Sequence, residues 1–234
     1  MKQNLPLKPK ALLLLTAFLL LFAVNTSIAQ TAAFDSTYRP KIYTAKVAEF
    51  KANPITSDDF VFLGNSITAR TDWAKLLNEP RAKNRGISGD ITFGVLERLD
   101  EVIAGKPKKI FVLIGINDIS RNIPDSLITR NHKLIISRIR KGSPSTRIYF
   151  YTLLPVNASF QKFMNHYGKD EHILAVNKEI KKLKGKNVTI IDLYPHFLDD
   201  QNRLKAEYSV DGLHLSKAGY QVWAEVLKQG NYLK

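Results

Sequence analysis

A serine hydroxyl is a weak nucleophile until a base takes its proton, an acid holds that base, and donors receive the oxyanion that forms. The chain carries a residue for each of these tasks. Ser66 stands in Gly64-Asn65-Ser66-Ile67-Thr68, directly after the apolar run Phe60-Val61-Phe62-Leu63. Asp211 and His214 stand in Asp211-Gly212-Leu213-His214. A spacing of three lets both side chains face one way on a single turn. The carboxylate can then hold one imidazole nitrogen while the other reaches Ser66. Gly89, in Gly86-Ile87-Ser88-Gly89-Asp90, offers a backbone N–H that a partner can approach closely. Asn117, in Gly115-Ile116-Asn117-Asp118, offers a side-chain amide. With the N–H of Ser66, these would make three oxyanion donors.

These positions are far apart in the chain, so the fold must gather them. Apolar runs predict strands at 60–63, 109–115, 147–154 and 188–193, and a further strand is placed around 83–85, before the turn at Gly86-Ile87-Ser88-Gly89. The run Ile110-Phe111-Val112-Leu113-Ile114 has no polar alternation, which marks a strand buried on both faces, as in a parallel sheet. Helical spacing recurs over 43–51, 92–103, 125–141, 170–183 and 216–227, with a short helix around Trp73, Leu76 and Leu77. Asp90 or Thr92 is the expected cap of the helix at 92–103. Strands alternate with helices throughout, with no internal repeat and no dividing linker. That pattern predicts one three-layer α/β domain around a parallel five-stranded sheet. Ser66, Gly89 and Asn117 each follow a strand, so all three belong to the carboxyl-end rim where open α/β folds bind ligands.

The N-terminus reads differently. Lys2, Lys8 and Lys10 precede a run over 11–24 that is apolar apart from Thr16, and Ser27 and Ala29 take the −3 and −1 positions of a cut before Gln30. Residues 1–29 are therefore expected to be a secretory signal peptide. The run is shorter than the ~20 residues of a membrane span, so no stable membrane insertion is expected after cleavage. Residues 30–58 read as a lead-in and residues 59–234 as the domain. There is no cysteine, which excludes disulfides and a lipid-attached N-terminus. The formal charge of +14 is spread along the chain. Its densest stretch, 178–186, alternates with Ile180 and Leu183, which describes a solvated helix face and not a nucleic-acid site.

Together, the blocks around Ser66, Gly89, Asn117 and His214 resemble the four sequence blocks of the SGNH hydrolases, also called the GDSL esterase/lipase family. They occur in the family's order between residues 60 and 220. The resemblance implies a flavodoxin-like α/β/α sandwich and ester hydrolysis without metal or cofactor. It makes Ser66 the nucleophile, His214 the base and Asp211 its orienter. Ser66, Gly89 and Asn117 form the oxyanion hole. The arrangement is most similar to the branch of platelet-activating-factor acetylhydrolase subunits and bacterial carbohydrate acetylesterases. That branch implies an esterase acting on short acyl groups, acetyl above all, of small-molecule or carbohydrate esters, and the expected signal peptide makes it exported, periplasmic or secreted. One departure is Asn65, where the family motif has Asp. The Gly-x-Ser-x-Gly elbow of α/β-hydrolases is absent, because position 68 is Thr.

Two other functions suit the same residues: a lysophospholipase or thioesterase, and a non-catalytic envelope protein that holds anionic polysaccharide by its charge. His132, His166, His172 and His196 show no metal-ligand spacing. His166 reads as a surface residue, with a place lining the pocket as the alternative. Phe160, Phe163 and Tyr167 read either as a substrate wall or as a packing cluster. Arg121 and Asn122 follow Asn117 closely enough to touch a substrate.

Overall fold

The four apolar runs and the segment around 83–85 become the strands of one parallel sheet in a computed structural model that describes residues 34–234. They are β1 (Phe60–Gly64), β2 (Ala82–Gly86), β3 (Lys109–Leu113), β4 (Arg147–Tyr151) and β5 (Val188–Ile191), in the order β2-β1-β3-β4-β5. All neighbours are parallel. The expected signal peptide, and residues 30–33 of the lead-in, lie outside the described residues. The helices are α1 (Tyr43–Ala52), α2 (Ser66–Ala69), α3 (Trp73–Leu77), α4 (Thr92–Ala104), α5 (Ile116–Ser120), α6 (Asp125–Gly142), α7 (Asp170–Lys181) and α8 (Lys217–Gln229).

Strand periodicity sorts the core into two faces. Phe62, Phe111 and Tyr149 are register partners and stack with ring centroids 4.7 and 4.6 Å apart. Trp73 of α3 and Trp223 of α8 cover this aromatic face, with Trp73 4.2 Å from Phe62 and Trp223 5.0 Å from Tyr151. The alternate residues Val61, Leu63, Ile110, Val112 and Ile148 are aliphatic and fully buried. Helices α4, α6 and α7 pack side by side in the other layer. The architecture is the expected three-layer α/β sandwich.

Several element ends differ from the sequence expectation, and for the fourth strand and α4 the reason is tertiary. The fourth strand stops at Tyr151 instead of reaching 154. Asn177 of α7 takes both backbone groups of Leu153, accepting from its N–H at 2.6 Å and donating to its carbonyl at 2.9 Å. The expected caps of α4 do other work. Ile91 is the cap residue and makes no side-chain cap bond, and Asp90 turns to Arg98. The N–H of Thr92 instead meets the Asp118 carboxylate, at 3.0 and 3.1 Å, from α5. Helix α7 ends at Lys181, two residues early, and the lysines around it are solvent-exposed as expected.

The lead-in is built into the domain. The Tyr43 hydroxyl of α1 donates to Gly94 O of α4 at 2.8 Å, and Arg85 of β2 donates to the carbonyls of Phe50 and Asn53.

Candidate active site

Gly64 ends β1 because nothing larger fits. A Cβ there would lie 2.3 Å from both Leu113 O and Thr68 Oγ1. The chain therefore turns straight from strand into α2, whose first residue is Ser66. Asn65 starts the helix by accepting the Ile67 N–H at 3.0 Å. Its Nδ2 is buried with no partner among the described residues, at an expected cost of about 1–3 kcal/mol. Asn65 thus keeps the cap geometry beside Ser66.

His214 meets Ser66 from the other end of the chain, with Nε2 2.9 Å from Ser66 Oγ. Its Nδ1 lies 2.7 Å from Asp211 Oδ2. The turn between them is held by Asp211 Oδ1, which accepts the N–H groups of Leu213 at 3.1 Å and His214 at 2.7 Å. Ser209 braces it, accepting from Gly212 N–H at 2.8 Å and donating to His214 O at 2.9 Å. All three side chains are buried. Burial pushes the His214 imidazole below its ordinary value and the Arg70 charge adds to this, while the bond to Asp211 opposes both. Burial pushes Asp211 up, but the bonds from the His214 N–H, the His214 ring and the Leu213 N–H outweigh it and leave the carboxyl below its ordinary value. A neutral imidazole beside an ionised carboxylate is the state that can accept the serine proton.

The other wall of the pocket carries the residues expected to be the donors. Gly89 sits beyond β2 with φ of +84°, in the left-handed region that favours glycine. Asn117 opens α5, where Gly115, with φ of +135°, turns the chain out of the β3 segment. Asn117 Nδ2 donates to Asp90 O at 2.9 Å, which ties the two blocks together. The N–H groups of Ser66 and Gly89 have no partner among the described residues. Ser66, Gly89, Asn117 and His214 all line one pocket of about 600 Å³. Its rigidity comes from below. Arg98 pairs with Asp90 at 2.9 Å, both fully buried, and also donates to Gly64 O at 3.1 Å. One guanidinium thus fixes the Gly89 loop to the strand end that presents Ser66. Removing one partner of such a pair costs about 3–5 kcal/mol.

His166 takes its alternative place in the pocket and not at the surface, and the lead-in adds lining residues that the sequence reading did not anticipate. His166 is half-buried in the pocket wall, with Nε2 3.0 Å from Asn117 Oδ1. The loop that carries it is pulled inward by Tyr167, whose hydroxyl donates to Asp211 O at 3.0 Å. Phe163 is the wall residue of the aromatic trio, edge-on to His214 at 5.0 Å, while Tyr167 is a brace. Tyr38 and Pro40 of the lead-in also line the pocket, which no local signal in the sequence announces. Arg121 lines it with its guanidinium 3.1 Å over the Tyr38 ring, whereas Asn122 is taken up by Lys169 at 2.6 Å. His132 belongs to the core, bonded to Ile114 O at 3.0 Å and pushed down to about 4 by burial. Among the described residues, no group of three or more His, Cys, Asp or Glu is placed to hold a metal ion.

Comparison with known proteins agrees with this geometry. The profile of the GDSL-like lipase/acylhydrolase family matches residues 62–222. The chain is 28% identical over 168 residues to platelet-activating factor acetylhydrolase IB subunit alpha2 of Rattus norvegicus, covering 69% of this chain and 71% of that protein. A solved structure of a candidate platelet activating factor from Streptococcus pneumonia is 28% identical, with a TM-score of 0.76 over 97% of this chain and 100% of that one. An acetyl xylan esterase shares the fold at 18% identity, with a TM-score of 0.62 over 74% of this chain and 98% of that one. The chain belongs to the GDSL-like lipase/acylhydrolase family and is an ester-hydrolysing serine hydrolase of the α/β class.

Proposed function

We propose that the protein is an exported serine esterase that removes short acyl groups, acetyl above all, from small-molecule or carbohydrate esters through Ser66, His214 and Asp211. The observation that carries this reading is the hydrogen-bonded chain from Ser66 Oγ through His214 to Asp211, at 2.9 and 2.7 Å. In the first step Ser66 Oγ attacks the ester carbonyl as its proton passes to His214 Nε2. Asp211 steadies the imidazolium. The N–H groups of Ser66 and Gly89 and the Asn117 amide receive the oxyanion. His214 then gives its proton to the leaving alcohol, and water releases the acyl group from Ser66 by the same steps in reverse.

The pocket lining mixes apolar and charged residues. Pro40, Phe163, Met164 and Leu213 are its apolar residues, and Arg70, Arg121 and Lys162 bring positive charge. Acetyl esters are the substrates named for the rat acetylhydrolase subunit and the acetyl xylan esterase. Export rests on the pattern of residues 1–29.

The test is hydrolysis of p-nitrophenyl esters from acetate to decanoate by residues 30–234, with chelator present and Ser66→Ala as control. The expected result is greatest activity on acetate, lowered at least about 10³-fold in the variant. Rates that rise with chain length would replace this reading with a lysophospholipase or thioesterase. A folded protein inactive on every ester would favour the polysaccharide-binding alternative.

A further inference from the structure

A side-chain amide presents an oxygen at one end and an NH2 group at the other, and its partners decide which end faces where. At Asn117 both ends have partners. Asp90 O, 2.9 Å away, can only accept, so the NH2 group must lie on that side. Oδ1 then faces His166 Nε2 at 3.0 Å, and Nε2 must be the protonated nitrogen of that ring. We infer that His166 is a positioning residue for oxyanion stabilisation: its Nε2–H holds Asn117 Oδ1 and so keeps the Asn117 NH2 group turned toward Asp90 O and the pocket at Ser66. The inference rests on the esterase reading given above.

The surroundings suit a neutral, fixed donor. His166 Nδ1 is buried without a partner among the described residues, which fits a bare lone pair better than a second N–H. Burial, and then the charges of His214, Lys169 and Arg121, push the ring down to about 4. A neutral His166 adds no positive charge beside the His214 imidazolium that forms during turnover. The loop around it is anchored at both sides of the site. The His166 N–H donates to Phe163 O at 2.8 Å, and the Tyr167 hydroxyl accepts the Phe163 N–H at 3.3 Å while donating to Asp211 O. Lys169 donates to Ile119 O at 2.9 Å and Ser120 O at 3.2 Å, in the helix that begins beside Asn117. Phe163 stands edge-on to both imidazoles, 5.0 Å from His214 and 5.9 Å from His166. One irregular segment thus links the base side of the site to the donor side.

The test is a double-mutant cycle on p-nitrophenyl acetate with His166→Ala, Asn117→Ala and the pair. His166→Ala is expected to lower kcat by about 10–100-fold with KM within about threefold, because the lost interaction matters only in the transition state. Asn117→Ala is expected to cost about 10²–10³. In the Asn117→Ala background, His166→Ala should cost less than about twofold, since its effect runs through that amide. His166→Gln, which keeps an N–H donor, should restore most of the loss. Equal losses from His166→Ala in both backgrounds would overturn the inference, as would a raised KM with kcat unchanged. If the melting curve shows that His166→Ala does not fold, the cycle is run with His166→Phe, which fills the space without a donor, under the same criteria. Wild-type turnover that Ser66→Ala abolishes establishes the esterase reading separately. A wild type inactive on every ester would remove that reading and this inference together.

Discussion

Asp211 and Asp118 are both buried carboxylates beside the same pocket, and burial pushes both toward the neutral form. They end on opposite sides of their ordinary value. Asp211 accepts two backbone N–H groups and the His214 ring, and Arg70 lies 3.5 Å from its Oδ2. Among the described residues, Asp118 accepts from the Thr92 N–H and hydroxyl, pairs with no cation, and lies near the Asp90 charge. Its carboxyl is pushed up to about 7. Residue type does not decide what a carboxylate does here. The number of donors and the nearest charge do. One stays ionised and can steady an imidazolium, while the other is a buried cap that joins α5 to α4.

The strongest way to break this comparison is to neutralise each in turn. Asp211→Asn should lower kcat by about 10⁴, since the amide cannot hold the imidazolium or its tautomer. Asp118→Asn should lower it by less than about tenfold, because it touches neither Ser66 nor His214. Equal losses would mean that the two carboxylates do not differ in role.

The second prediction concerns stability. Folding lifts Asp118 from its ordinary 3.8 to about 7. Between those values the unfolded chain has released this proton and the folded chain has not. The contribution of Asp118 is therefore fully present below pH 3.8 and lost as pH rises toward 7. The slope is about 1.4 kcal/mol per pH unit. Urea unfolding across this window should show that slope in the wild type relative to Asp118→Asn. Parallel curves for the two proteins would refute the raised carboxyl.

The smallest effect sharpens the Asp211 side. Because His214 lies below its ordinary 6.5, the acid limb of kcat/KM should fall below pH 6.5, with the rate rising as the ring loses its proton. Arg70→Gln should move that limb upward, since the Arg70 charge disfavours the imidazolium. The Arg70 side chain is 46% exposed, so the shift should be small and should shrink with added salt. A limb that moves downward would contradict the stated cause.

The same contrast explains what could be read from the sequence. Ser66, Gly89 and Asn117 follow strands, and a parallel sheet puts all such residues on one rim. Asp211 and His214 are three apart, so their pairing is a property of a single turn. These are local or topological facts. Asp118 caps a helix that starts 26 residues earlier in the chain, and the end of β4 is set by Asn177 of α7. His166 occupies a segment with no periodicity, and bonds to Asn117 and Asp211 hold that segment in place. Tyr38 and Pro40 reach the pocket because α1 packs back on α4 through Tyr43 and Gly94. Long-range side-chain contacts leave no repeat or spacing to find.

The central claim is that Ser66 is a nucleophile activated by His214, and covalent trapping tests it most directly. In a fluorophosphonate reaction followed by intact-mass and peptide mass spectrometry, Ser66 Oγ displaces fluoride from phosphorus as His214 takes the serine proton. The wild type should gain one adduct, on Ser66, and Ser66→Ala none. His214→Ala should label at least about 10²-fold more slowly. An adduct on another residue, or equal labelling rates in the wild type and His214→Ala, would contradict the account.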